Sequence, residues 1–270
     1  MLNFALDLNI SLKAETLFKI GPFSVTNSMV YGLVTVVLFF VIMLWATKKI
    51  SSGAPQKGLA GLIEVLTEFV RGLIEGPLGS RELANKYTAF FGVFFFFIIT
   101  ANLMELLPIV GPMFHAVVGG EQIPVLRPFT ADLNGTIAMS IVATTMVQYF
   151  SIKEQGLKNH ILHYFDGKIY NPLNIFVGFM EIIGEFSRLA SLSMRLFLYT
   201  EVGEILILIF SSLVIGHART PFLALPILIF EGMIAVLQAY IYVILCSSYL
   251  GTAISRHRQE AGINPEMQSA

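Results

Sequence analysis

The most informative stretch of this sequence is one long apolar run, residues 173–215, with the sequence LNIFVGFMEIIGEFSRLASLSMRLFLYTEVGEILILIFSSLVI. As one helix of about 43 residues at 1.5 Å per residue, it would be roughly 65 Å long, twice the hydrocarbon thickness of a bilayer. A second run, residues 221–254, overshoots that thickness in the same way. We therefore predict two long helices that lie strongly tilted in a membrane as an antiparallel pair.

Three shorter runs elsewhere in the chain have the length of an ordinary membrane span. About 20 apolar residues in a helix cross a bilayer core, and this length is met at residues 29–47, 87–107 and 131–150. The predicted fold is therefore an all-α integral membrane protein with about five membrane-crossing helices in a single transmembrane domain, 1–270. It begins with an external segment, 1–28, and ends with a polar cytoplasmic tail, 255–270.

Residues 58–75 have a different pattern. Leu62, Leu66, Phe69 and Leu73 recur at helical spacing, while charged residues occupy the other faces. This spacing predicts an amphipathic helix that lies on the membrane surface and does not cross it.

Composition excludes several classes of protein. The chain is 55% hydrophobic and 13% charged with a mean hydropathy of +0.74, whereas soluble domains carry about 25% charged residues. The net charge of −1 gives no bulk attraction to nucleic acid. The single cysteine, Cys246, excludes an intrachain disulfide, and no Cys/His cluster indicates a metal or other cofactor. The start of the chain, 1–22, lacks the pattern of a signal or transit peptide.

The distribution of basic residues predicts the orientation. Of the seventeen Lys and Arg residues, Arg188 and Arg195 fall within the long run, and four fall on segments that five crossings would place outside. The remaining eleven fall inside, and cytoplasmic segments carry the excess of Lys and Arg. We expect the N-terminus outside, the C-terminus in the cytoplasm, and the membrane to be a bacterial plasma membrane.

Two arginines in the long run differ in their local partners. A charge near the bilayer centre costs at least about 2.5–3.5 kcal/mol on insertion scales. Arg188 is three residues after Glu185, so the two can pair on one helix face. Arg195 has no acidic residue three or four positions away, so its counter-charge must come from another helix or another protein.

Other polar residues of the two long runs are candidates for an ion path. Glu201 and Glu204 follow Arg195, while Glu231 and Gln238 are seven apart and share a helix face. Carboxylates in low dielectric have raised pKa values, so they can exchange protons near neutral pH. Chains of such groups carry protons across membranes, although a single acid can also simply reach toward the interface.

The residues around Arg195 resemble a known signature. Two segments resemble the last two helices of subunit a of F-type ATP synthases. They are SLSMRLF at residues 191–197, with Gly203-Glu204 following it, and LQAYIY at residues 237–242. Three further segments are similar to parts of the family near its first three spans: TNSM at residues 26–29, NLMELLP at residues 102–108 and RPFTADLN at residues 127–134.

That resemblance implies a stator subunit with no catalytic site of its own, which conducts protons to and from a rotating ring of small two-helix c subunits. It implies subunit b of the peripheral stalk as a second partner. Arg195 would face the rotor carboxylate, and Glu204, Glu231 and Gln238 would line two aqueous half-channels. Three further positions match the family's polar channel residues less closely: Glu105, Asn134 and Glu181.

One departure from the family pattern lies beside Arg195. The family usually has Gly-Asn after Arg-Leu-Phe, whereas this chain has Leu198-Tyr199 and an additional acid, Glu201. We expect the outer half-channel to be arranged differently here, with Glu201 as a further relay residue.

Three other classes fit the sequence less well. A secondary transporter typically shows two related halves, and no repeat is present. A metalloprotease would need H-E-x-x-H, and a nucleotide site would need G-x-x-x-x-G-K-[ST]; neither motif occurs. A purely structural scaffold would not need Arg195. The transported ion, H⁺ or Na⁺, depends largely on the rotor carboxylate, which belongs to another chain.

Overall fold

The structure is a computed structural model that describes residues 15–50, 58–106, 115–118, 121–124, 127–156, 172–217 and 225–260. The described residues form six α-helices: α1 Asn27–Ile50, α2 Leu59–Leu78, α3 Arg81–Glu105, α4 Leu133–Gln155, α5 Pro172–His217 and α6 Leu225–Glu260. They also form two antiparallel hairpins, β1 Thr16–Ile20 with β2 Phe23–Thr26, and β3 His115–Val118 with β4 Glu121–Pro124. Residues 1–14 of the predicted external segment and 261–270 of the predicted tail lie outside the described residues.

Helix α3 starts earlier than its apolar run. The run predicts a span from residue 87, but the helix begins at Arg81 because the Ser80 side chain accepts a hydrogen bond from the Leu83 N–H at 3.2 Å. Such a cap satisfies one of the backbone donors left open at a helix start. Just before it, α2 ends at Gly79, whose φ of 67° is accessible to glycine at little cost. Helices α2 and α3 therefore form a tight antiparallel pair.

The core lies around α3, which contacts α1, α2 and α6. Aromatic rings fill much of it. Phe39 of α1 meets Phe97 edge-on with ring centroids 5.7 Å apart, and Phe94 stacks on Tyr242 of α6 at 5.9 Å. Offset and edge-on pairs of this kind stabilise packing beyond the area they bury.

Helix α2 packs into the bundle mainly through residues outside the apolar stripe quoted above, and its place at the membrane surface stays a prediction. Leu62 and Phe69 are largely exposed, whereas Val70 and Ile74 are fully buried. At its end, the Pro77 carbonyl lies directly against Gly251 of α6, so any side chain there would collide with it. Because α2 is apolar on two sides, helical spacing alone does not identify the face that packs inward.

Four described helices are long and apolar enough to cross a membrane: α1, α3, α4 and residues 228–255 of α6. On α1 only 22% of the most apolar window is buried, and large side chains such as Leu33, Phe40 and Leu44 are exposed. Apolar exteriors of this extent belong in contact with lipid. The predicted class, an all-α membrane protein, is confirmed.

Helices α5 and α6 are each continuous. The predicted run 173–215 is one helix from Pro172 to His217, and the predicted run 221–254 is a helix from Leu225 to Glu260. The start of the predicted tail, 255–260, is thus helical. The tilt of the pair in a membrane stays a prediction.

The two hairpins are not predicted from the sequence. The first turns at Gly21, whose φ of 61° suits a tight turn, and leads directly into α1. These strands are only four or five residues long and have no amphipathic pattern that distinguishes them from loop.

Candidate functional site

The site is built where α5 and α6 run past each other. The Tyr199 hydroxyl of α5 donates to the Glu231 carbonyl of α6 at 3.0 Å, and nearer the start of α5 the Arg188 guanidinium lies over the Tyr249 ring at 5.0 Å. Residue numbers fall along one helix as they rise along the other, so the two helices are antiparallel. This register places Gln238 within about one turn of Arg195 along the pair.

Arg195 lies half-buried at the edge of an exposed face. Its neighbours Ser191, Met194 and Leu198 are exposed. Among the described residues, no carboxylate lies within ion-pair distance of its guanidinium. The face therefore presents a guanidinium cation beside small and apolar side chains.

Arg188, seven residues earlier, contacts both a carboxylate and an aromatic ring. Its Nη1 donates to Glu185 Oε1 at 2.7 Å, as the sequence predicts. Gln148 of α4 donates to the other carboxylate oxygen of Glu185 at 2.6 Å. The pair is thus neutralised and tied to a neighbouring helix.

Glu231 is buried at the crossing of three helices. Its side chain is pressed against Gly203 of α5, where a Cβ would collide with the carboxylate. Glu105, at the end of α3, and Glu231 both lie within electrostatic range of the Tyr199 hydroxyl. Two acids and a phenol are thereby brought together from helices that the sequence leaves unrelated.

Buried amides continue this polar region into the bundle. Gln238 is 4% exposed, and its Nε2 has no hydrogen-bond partner among the described residues. The same holds for both amide atoms of Asn102, which is 2% exposed. Buried polar atoms are nearly always hydrogen-bonded, so such groups are typical of places where a protein binds internal water.

Comparison with known proteins gives the family. The family model "ATP synthase A chain" matches residues 29–251, a range that includes α2, α3, α4 and α5 and most of α1 and α6. The chain belongs to the ATP synthase A chain family.

Individual members of the family are similar along most of the chain. An ATP synthase subunit a of Anaeromyxobacter dehalogenans is 30% identical over 234 residues, which are 83% of this chain and 56% of that protein. Subunit a 1 of Photobacterium profundum is also 30% identical, over 84% of this chain and 86% of its own length. Subunit a of Moorella thermoacetica is 27% identical over 89% and 96%.

The structure of this A chain brings three of the predicted residues together. Arg195, Glu231 and Gln238 share the α5–α6 region. Asn134 is exposed in the first turn of α4, where its N–H donates to Asp132 at 3.0 Å. The side chains of Glu181 and Glu204 lie outside the described residues, although both positions are on α5.

Glu201 has a partner that sequence reasoning missed. Arg127 Nη2 donates to Glu201 Oε1 at 2.7 Å, and both side chains are only 7% exposed. The two residues are 74 positions apart, so no local spacing could reveal the pair. A weak signal was present, because each is a charged residue in an otherwise apolar surrounding.

The described residues hold no group of three or more His, Cys, Asp or Glu side chains that could bind a metal ion. The polar groups at the α5–α6 crossing are carboxylates, amides, hydroxyls and one guanidinium. Such groups can hold water and exchange protons along hydrogen bonds, which is the chemistry of an ion path through a membrane protein.

Proposed function

We propose that this A chain is the stator subunit of an F-type ATP synthase and conducts protons to and from a rotating ring of small two-helix c subunits. The supporting observation is Arg195, a permanent cation without a carboxylate partner among the described residues, on a face of exposed small and apolar side chains. A buried or half-buried charge needs a counter-charge. A carboxylate carried past this face by another protein supplies one.

The mechanism follows from the cost of charge in lipid. A proton that enters from one side neutralises a rotor carboxylate, and the neutral carboxyl can then pass through lipid at low cost. After almost one turn it returns to the stator and releases its proton toward the other side. Arg195 stands between the two paths, where it favours the ionised carboxylate and repels any cation that would cross directly.

Several residues of this chain are assigned to the path. Glu231 and Gln238 are buried at the level of Tyr199 and Arg195, and the unpartnered Gln238 amide supports a water-bearing route. Glu204, Glu181 and Asn134 are assigned by their resemblance to the family's positions. Tyr199 and Asn102, which the sequence analysis did not assign, lie where they could join the same route.

The chain itself performs no ATP chemistry in this proposal. It carries no phosphate-binding motif, so the nucleotide sites belong to other subunits of the complex. Transfer of one charge through 100 mV yields about 2.3 kcal/mol, so several protons serve each ATP. The c-ring and subunit b of the peripheral stalk are the partners, and whether Na⁺ replaces the proton is tested by pumping in sodium-free buffer.

The orientation is part of the proposal, with the N-terminus outside a bacterial plasma membrane and the C-terminus in the cytoplasm. Cys246 is buried, so a cysteine introduced at residues 261–270 in a Cys246→Ala background would be the reactive thiol. We expect a membrane-impermeant thiol reagent to label it in inverted vesicles and not in intact cells. Labelling in intact cells would show that the C-terminus lies outside and would contradict the proposed orientation.

Arg195→Ala tests the mechanism. ATP-driven proton pumping and ATP synthesis should both be abolished in vesicles that contain the assembled complex. Arg188→Ala is the matched control, since it removes the same side chain seven residues away on the same helix. Native gels establish assembly for both. Substantial pumping by an assembled Arg195→Ala complex would overturn the proposed function.

A further inference from the structure

The contact between Arg127 and Glu201 joins two distant parts of the chain in a buried setting. The guanidinium and the carboxylate are 2.7 Å apart, with 7% of each side chain exposed. Glu201 is six residues after Arg195 on α5, or about 9 Å along the helix. The pair therefore lies close to the level at which the α5–α6 region carries its other polar groups.

Arg127 is presented by a segment that is itself fixed to three helices. The 3₁₀ helix Phe129–Ala131 begins two residues after Arg127. The Phe129 ring lies against Phe97 of α3 with centroids 5.6 Å apart. At the end of the segment Asp132 accepts a hydrogen bond from Ser28 of α1 at 2.8 Å and caps the start of α4. Arg127 thus extends toward α5 from a base anchored on α1, α3 and α4.

Helix α5 depends on such polar contacts for its position. Within a bilayer, apolar side chains gain little by leaving lipid for another helix, so packing and interhelical hydrogen bonds carry more of the association. Toward the start of α5, Gln148 binds Glu185 at 2.6 Å, and Ser193 lies 3.4 Å from the Thr136 hydroxyl of α4. The Arg127 contact is the corresponding link on the far side of Arg195.

We propose that the Arg127–Glu201 ion pair is a positioning device, and that Glu201 is a fixed charge and not a carrier of the transported proton. Protonation of Glu201 would remove the negative charge that lies 2.7 Å from the buried Arg127 guanidinium, which is costly in a low-dielectric interior. The pair keeps α5 seated on the 127–132 segment and so keeps Arg195 at the face that meets the rotor. This inference rests on the proposed function, and it assigns Glu201 a role different from the relay expected from the sequence.

The test uses three variants of the whole complex in vesicles: Arg127→Gln, Glu201→Gln, and the double variant with both substitutions. Each single variant breaks the buried ion pair, so assembly or pumping should fall by more than about tenfold. The double variant removes both charges and can retain an amide–amide hydrogen bond. We expect it to assemble and to regain pumping to within about threefold of the parent, the signature of coupled residues in a double-mutant cycle.

A relay role makes the opposite prediction for the double variant. Loss of the Glu201 carboxyl would stop conduction whether or not Arg127 is charged. An assembled double variant that does not pump therefore overturns the proposal, as does a double variant that fails to assemble. An unimpaired Glu201→Gln single variant also overturns it, because the pair would then position nothing.

Two controls separate this result from the proposed function. The exposed Glu68–Arg71 ion pair on α2 offers a matched neutralisation, Glu68→Gln with Arg71→Gln, which should leave pumping unchanged because exposed pairs contribute little. Arg195→Ala in the same assay tests the proposed function by itself. The recovery of assembly in the Arg127/Glu201 series is read from native gels and does not depend on pumping.

Discussion

The neighbourhoods of Arg188 and Arg195 differ although both residues lie on α5, seven positions apart. Around Arg188 the charge is matched by Glu185, the Glu185 carboxylate is tied to Gln148, and the guanidinium lies on the Tyr249 ring. Around Arg195 the neighbours are serines and apolar side chains, and no described carboxylate is within ion-pair distance. Among the described residues, the charges around Arg188 are paired within the chain, whereas the charge of Arg195 is not.

This difference separates structural charge from functional charge. A satisfied ion pair fixes the relative position of two helices and has little capacity left for a third group. A cation without a counter-ion is stabilised each time a carboxylate comes to it, so its contact can be made and broken. The contrast predicts different sensitivities to substitution, which the following variants test in order of expected effect.

The largest effect is expected for Arg195→Lys. Lysine keeps the positive charge but loses the planar fork of donors, and in low dielectric it can lose its proton. Coupled pumping should fall by more than about tenfold, equivalent to at least about 1.4 kcal/mol. Proton pumping by assembled complexes in vesicles measures it. Near-parental pumping would mean that any cation suffices at this position.

Glu231→Gln and Glu204→Gln should come next. Both substitutions keep the side-chain shape and remove the exchangeable carboxyl, so ATP synthesis should slow severalfold while assembly is largely retained. Synthesis driven by an imposed proton gradient measures the change. Synthesis at the parental rate in both variants would mean that the proton path does not use these acids. The contrast between the surroundings of Arg188 and Arg195 would then depend on Arg195 alone.

Gly203→Ala should have a smaller effect by displacing Glu231. A Cβ at residue 203 meets the Glu231 carboxylate, so that side chain must shift away from α5. Conduction should fall by about twofold or more, since a misplaced relay group transfers protons less well. Gly184→Ala on the same helix is the control, because no atom lies within 4 Å of its Cβ position. Equal rates for both variants would show that the position of Glu231 is not critical.

The smallest effect is expected for Arg188→Ala. Glu185 keeps its hydrogen bond from Gln148, and the two charged side chains are 34% and 23% exposed, so the loss is one of stability, on the order of 1 kcal/mol. More than half of the parental pumping should remain. Thermal inactivation of the complex should occur at a lower temperature. A loss of coupling as severe as that of Arg195→Ala would abolish the distinction between the two arginines.

The sequence predicts contacts between residues that are close along the chain and does not predict contacts between residues that are far apart along it. The Glu185–Arg188 pair follows from a spacing of three, and the lack of acids near Arg195 on its own helix follows in the same way. The Arg127–Glu201 pair joins residues 74 apart, so it depends on how the 127–132 segment meets α5. The contact of Gly203 with Glu231 likewise requires the antiparallel register of α5 and α6.

The choice of buried face is a second limit of sequence patterns in a membrane protein. On α2 both Leu62 and Val70 are apolar, but only Val70 is buried. On a helix of a soluble protein an apolar stripe usually marks the side that faces the core, whereas lipid accepts an apolar side chain equally well on the outside. Close backbone approach, as at Gly251 and Pro77, is what distinguishes the packed side.

The two polar anchors of α5 also have a mechanical consequence. Glu185 is held by Gln148 and Glu201 by Arg127, and their separation of 16 positions spans about 24 Å of helix with Arg195 in between. A helix held at both ends bends less under a force applied near its middle than a helix held at one end only. Drag from a moving partner at Arg195 would therefore be divided between the two supports and transmitted to α4 and to the 127–132 segment, with little bending of α5 itself.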